Sequence, residues 1–245
     1  MKIAEKYGLL IDEIPNDYSN PVEIYRKDIF TKRGRNRSIS DAIANKLLDE
    51  KNSIKDVLKS INKVTRKNSY KMDGHDADYK SKSVRRNEEI IAMWLCSRSA
   101  SENIGFDRIG RFLDYQIPMN DSKADKHGKI DLLSYNSEEN SVFLIELKHP
   151  NNAESINKAM LEIATYYQII DHNKLLKDMG LPSDAIIRKM ILVSKDSSNL
   201  SDFSKTKEEL AKSLEVEVWT YEIENIHIKK AKELEKENFS ASRFF

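Results

Sequence analysis

A single cysteine, Cys96, excludes an internal disulfide framework and any Cys-rich zinc cluster, and it fits a reducing compartment. No apolar run approaches the roughly 20 residues needed to span a bilayer. The opening Met1-Lys2-Ile3-Ala4-Glu5-Lys6 lacks the apolar core of a signal peptide. These absences predict a soluble, cytoplasmic protein with no membrane partner. An excess of one charge sign is also missing: 41 Lys and Arg face 40 Asp and Glu, a formal net charge of +1. The chain as a whole therefore does not advertise a polyanion partner. No internal repeat is visible.

What charge there is lies unevenly. Residues 22–86 hold 18 Lys and Arg against 9 Asp and Glu, while both flanks are net acidic. Within that region Lys32, Arg33, Arg35 and Arg37 crowd around Gly34. Such a cluster can meet nucleic-acid phosphates through charge; a solvated loop fits the same residues. Residues 38–66 read as two short helices, with Ile39, Ile43, Leu47 and Leu48 on one stripe and Ile54, Val57, Leu58 and Ile61 on the other. Residues 67–84 are polar and read as a linker or mobile loop. These features predict a basic, mainly helical N-terminal extension over 1–84 and an α/β domain over 85–245.

From residue 85 the pattern reads helix, strand, strand, strand, helix, strand, helix, strand. The first helix spans 85–99. Its early acidic residues suit the helix dipole, yet Glu88 shares a face with Ile91, Ala92 and Leu95, so an inward orientation is equally open. Strands are predicted at Arg111–Ile117, around Ile130–Leu133 and at Val142–Leu147. A helix follows over Ala153–Ile170, then a strand at Lys189–Val193, a helix at Ser204–Leu214 and a strand at Val216–Tyr221. A charged helix is expected at Ile226–Glu237. The terminal Phe239, Phe244 and Phe245 suggest docking onto the body, a second copy or a partner protein.

Three charged residues interrupt the two apolar runs at 130–133 and 142–147: Asp131, Glu146 and Lys148. A charge inside such a run costs several kcal/mol unless it is paired or binds an ion. Strand side chains alternate, so Glu146 and Lys148 point one way while Phe143, Ile145 and Leu147 point the other. A turn over Asn136–Asn140 can bring Asp131 beside Glu146. Two carboxylates suit magnesium, which prefers oxygen ligands and retains several waters. Lys148 beside them can neutralise a phosphate or orient a water. A buried ion-pair network is the structural alternative.

Asp131 followed by Glu146-Leu147-Lys148, in this order of elements, resembles the PD-(D/E)XK nuclease superfamily over about residues 85–222. The resemblance implies a restriction-endonuclease-like core, a mixed central sheet flanked by helices. It implies catalytic Asp131, Glu146 and Lys148, with Mg²⁺ (Mn²⁺ substituting) held by Asp131, Glu146, the Leu147 carbonyl and Glu88. Ile130 stands where many members carry proline. Some branches carry a Gln and, four residues on, a Tyr in the following helix; the matching positions here are Glu162 and Tyr166, with Gln168 a second candidate for the glutamine. The implied activity is a DNA endonuclease of restriction or phage-defence type acting on double-stranded DNA. A catalytically inactive nucleic-acid-binding or assembly subunit with the same fold is the alternative.

Overall fold

The computed structural model describes residues 37–48, 54–64, 66–73, 75, 87–102, 105–121, 128–150, 152, 154–201, 203–223 and 239–244. Six strands form one mixed sheet in chain order: β1 (Arg111–Pro118), β2 (Lys129–Asn136), β3 (Ser141–Lys148), β4 (Ile186–Ser194), β5 (Val216–Ile223) and β6 (Phe239–Arg243). The β1–β2, β2–β3 and β5–β6 pairs are antiparallel, and β3–β4 and β4–β5 are parallel. Antiparallel neighbours need only a short turn, here residues 137–140, where the Asn136 side chain accepts the Glu138 and Glu139 N–H groups. Parallel neighbours need a crossover. Helices supply them: α4 (Ile156–Ile169) and α5 (His172–Asp178) between β3 and β4, α6 (Ser198–Ser201) and α7 (Lys205–Leu214) between β4 and β5. No helix among the described residues is long and apolar enough to cross a membrane.

Helices cover both faces. Val142, Leu144, Ile191 and Val218 meet α4 and α7 on one face. The helices α1 (Arg37–Leu48) and α2 (Ile54–Lys59) share that core through Ile43, Leu47, Ile54 and Leu58. On the other face Phe143, Ile145, Leu147 and Leu192 pack under α3 (Asn87–Ser101). That helix is buried nearly all round, from Ile90 to Cys96, because the C-terminal strand also leans on it. Phe239 sets its ring against Trp94, Phe106 and Phe112. The terminal aromatics thus dock in part on the body, and Phe239 does so from a strand that short polar residues gave no pattern to predict. Phe244 stays partly exposed against Phe203. Phe245 and the expected helix at Ile226–Glu237 lie outside the described residues, as does most of 1–84.

Residues 67–73 and 75, expected in a linker or mobile loop, form a strap held by carboxylates. Asp121 accepts the Lys67 and Asn68 N–H groups, and Asp178 accepts that of Tyr70. Asp114, buried in edge strand β1, accepts the Met72 N–H at 3.0 Å and the Tyr115 N–H at 2.8 Å and meets His75 Nδ1 at 2.5 Å. The strap packs beside an edge strand, where unpaired backbone would otherwise invite another chain. Asp114→Ala leaves these donors without their charged acceptor, at an expected cost of about 3 kcal/mol. The measurement is a lower urea midpoint together with loss of hydrogen-exchange protection at the Met72 amide.

Candidate active site

Side-chain alternation along β3 puts Glu146 and Lys148 in the row begun by Val142 and Leu144, facing α4, with Phe143, Ile145 and Leu147 behind the sheet. Both charged residues are only 3% exposed. The β2–β3 pairing ends at Leu132–Ile145, although both strands continue. Beyond that point the Asp131 carboxylate replaces the neighbouring backbone: its Oδ2 accepts the Leu147 N–H at 3.0 Å. Its Oδ1 accepts from Gln116 Nε2 at 2.8 Å. A polar cavity of about 330 Å³ opens there, lined by Asp131, Glu146, Lys148 and their neighbours.

The charges form a chain of contacts. Lys148 Nζ donates to Glu146 Oε1 at 2.6 Å and to Glu154 Oε2 at 3.2 Å. Glu154 also takes the Lys158 ammonium, which lies 3.8 Å from Glu162 Oε2. Tyr166 donates its hydroxyl to Glu162 Oε1 at 2.8 Å. Lys158, Glu162 and Tyr166 recur every four residues along one side of α4, and Glu154 stands just before its cap; Ser155 caps that helix by accepting the Lys158 N–H. Gly128 makes room for the tyrosine. Its φ is +87°, and a Cβ there would sit 2.2 Å from the Tyr166 hydroxyl.

Glu88 reaches the cavity from the first turn of α3. It is also a clamp, accepting from the Asn152 amide and, at 3.5 Å, the His149 N–H, and so holds the connection from β3 to α4. The inward orientation of Glu88 is therefore the one adopted. Asp131, Glu146, Lys148, Glu88, Glu162 and Tyr166 come together, and Leu147 joins them through its N–H. Gln168 does not: it lines a separate small cavity with Lys55, Tyr167 and Lys189. Lys32, Arg33 and Arg35 lie outside the described residues, as does the side chain of Arg37, whose backbone opens α1. Sequence reasoning passed over Gln116, Glu154 and Lys158. The four-residue spacing was a signal for the last two, but it is shared by ordinary solvated helix faces.

Acidic groups outnumber basic ones in this site: five carboxyl groups line the cavity against three lysine side chains. Burial, and then the neighbouring Glu88 and Glu162, push Asp131 from the usual 3.8 to about 7, although Lys148 opposes the rise. Glu146 is pushed well above the carboxylate range, first by burial and then by Asp131 and Glu162. Burial alone would discharge Lys148, but Glu146, Glu162, Glu88 and Asp131 outweigh it and keep the ammonium. The donor set suits a hard divalent cation: carboxylate oxygens in excess, and Glu162 Oε2 buried without a hydrogen bond. In the arrangement described, however, Glu146 is engaged by Lys148, and among the described residues no three acidic, His or Cys side chains already surround one point. A cation would have to draw Glu146 away from the ammonium. No family model matches the chain, and neither does any curated protein or solved structure.

A carboxyl whose folded pKa lies above its unfolded value binds the extra proton in the native state. Between pH 4 and 7, Asp131 therefore makes stability fall as pH rises. The full shift corresponds to at most about 4 kcal/mol. Asp131→Asn in cation-free buffer is expected to raise the melting temperature at pH 8 and leave it unchanged at pH 4. Equal melting curves at pH 8 would mean the carboxylate is solvated.

Proposed function

We propose that the chain is a metal-dependent nuclease that hydrolyses phosphodiester bonds, with double-stranded DNA as the substrate and restriction or phage defence as the setting. The observation that carries this reading is the convergence of Asp131, Glu146 and Lys148 on one open, acid-rich cavity. Their positions on the second and third strands, with a helix before the first strand and another after the third, support a restriction-endonuclease-like core. The basic excess in residues 22–86, including Lys32, Arg33, Arg35 and Arg37, is the proposed surface for the DNA backbone, and the mainly helical extension would carry it.

Asp131 and Glu146 would hold Mg²⁺ or Mn²⁺, with Glu88 and Glu162 within the same acidic field. Such an ion supplies an activated water and neutralises phosphate charge. Lys148 would place its ammonium against the phosphate oxygens where negative charge builds up. Glu154 holds that ammonium from the helix side, and Lys158 holds Glu154. Glu88 fixes the turn that carries Glu154, since Asn152 both donates to Glu88 and accepts the Glu154 N–H at 2.6 Å.

Purified protein is expected to nick or cut plasmid DNA with Mg²⁺ or Mn²⁺. Asp131→Ala, Glu146→Ala and Lys148→Ala should each lower the rate at least about 100-fold. Undiminished cleavage by the triple variant refutes the assignment. The 2.6 Å contact between Glu146 and Lys148 favours a second reading, an inactive nucleic-acid-binding or assembly subunit. It predicts salt-sensitive DNA binding that neither EDTA nor Glu146→Ala alters.

A further inference from the structure

Gln116 lies in the middle of β1 with a φ of +49°, a left-handed conformation uncommon for any residue with a side chain. The bulge in this strand does not account for it. That irregularity falls between Phe112 and Asp114, and the pairing is regular on both sides of Gln116, with Tyr115 opposite Leu132 and Ile117 opposite Ile130. Continued through the gap between those pairs, the register brings Gln116 level with Asp131, where no backbone pair forms. Backbone held in an unfavourable region persists only where its surroundings enforce it, and such residues gather at functional sites.

We infer that Gln116 is a positioning residue that uses this backbone conformation to fix the orientation of the Asp131 carboxylate for cation binding. The inference rests on the metal-dependent reading above. The two carboxylate oxygens are held from two directions, Oδ2 by the Leu147 N–H and Oδ1 by the Gln116 amide, so rotation about the terminal bond is blocked. Leu147 contributes backbone that every variant retains. Gln116 contributes a side chain, so the second point of fixation depends on residue type. The amide is also neutral. It stabilises the ionised form of Asp131 by donating a hydrogen bond, yet brings no positive charge to compete with the cation, unlike Lys148 on Glu146. Each oxygen keeps a lone pair for a metal ion.

Two substitutions separate the backbone from the amide. Gln116→Gly removes the conformational penalty and the donor together. Gln116→Asn keeps an amide that tolerates positive φ, but it is one methylene too short to hold the same position. Mn²⁺ binding is measured by calorimetry and the melting temperature in metal-free buffer. Both variants should bind Mn²⁺ about tenfold or more weakly than the unaltered protein, as loss of a partner behind a metal ligand does. Gln116→Gly should at the same time melt higher, by about 2–4 °C, and Gln116→Asn no lower than the unaltered protein. Unchanged Mn²⁺ affinity in both variants overturns the role of Gln116 and leaves the metal site standing. A lower melting temperature in both variants also overturns it, because the residue would then serve the fold. No Mn²⁺ uptake by the unaltered protein overturns the metal reading and this inference with it.

Discussion

The N–H of Leu147 points across the sheet at a strand that is no longer paired with it. A buried backbone donor without an acceptor is costly, and the Asp131 carboxylate fills the role at 3.0 Å. Everything distinctive about the site follows from that replacement. Had the β2–β3 ladder continued past Leu132–Ile145, the two strands would have closed over the gap. Ending it early leaves room for side chains, and the acceptor that compensates the backbone is itself a charge that needs compensation. The carboxylate is therefore both a structural acceptor and a poised, partly desolvated acid.

That demand spreads outward through the molecule. Two helices on opposite faces of the sheet answer it. From one side α4 and the residue before its cap bring Glu154, Lys158 and Glu162, so that the charges alternate in sign. From the other, the first turn of α3 brings Glu88, which pins the connection leading into α4. The apolar cores on the two faces hold these helices at fixed distances, and the carboxylate-pinned strap secures the edge strand that carries Gln116. Taking charged groups out of water can cost more than their pairing returns, and here burial and the neighbouring carboxylates push Asp131 and Glu146 up rather than leave both fully ionised. Protonation and stability are thereby coupled in one place.

Much of this architecture was legible in advance, and the reasons are local. The run Val142–Leu147 could only be a strand, and period-two alternation assigned Glu146 and Lys148 to one face and Phe143, Ile145 and Leu147 to the other. The helix after Pro150 showed its apolar stripe in Ile156, Met160 and Ile163. Where local pattern was weak, expectation failed. Strand β6 has the sequence Phe-Ser-Ala-Ser-Arg, with one large apolar residue, and its position comes from pairing with β5 and from the ring of Phe239 against Trp94. The stretch after Lys67 looked mobile because its backbone partners, Asp114, Asp121 and Asp178, are 40 to over 100 residues away in the chain. Gln168 was a helix neighbour of the site in sequence and lies elsewhere in space, since its angular position on α4 differs from that of Glu162 and Tyr166.

The sequence by itself determined the main helices, five of the six strands, the faces of the strands and the identity of the charged triplet, because those follow from spacing along a chain of known geometry. It determined too that the triplet had to be compensated. The tertiary structure decided how: which oxygen of Asp131 meets Leu147 and which meets Gln116, that Glu88 turns inward as a clamp, and that Glu154 and Lys158 join the cluster. The two contacts of Asp131 depend on where one strand pair stops and on a single left-handed residue in the strand beside it. Neither leaves a mark on hydrophobic periodicity, since both arise from distances between segments that only folding brings together.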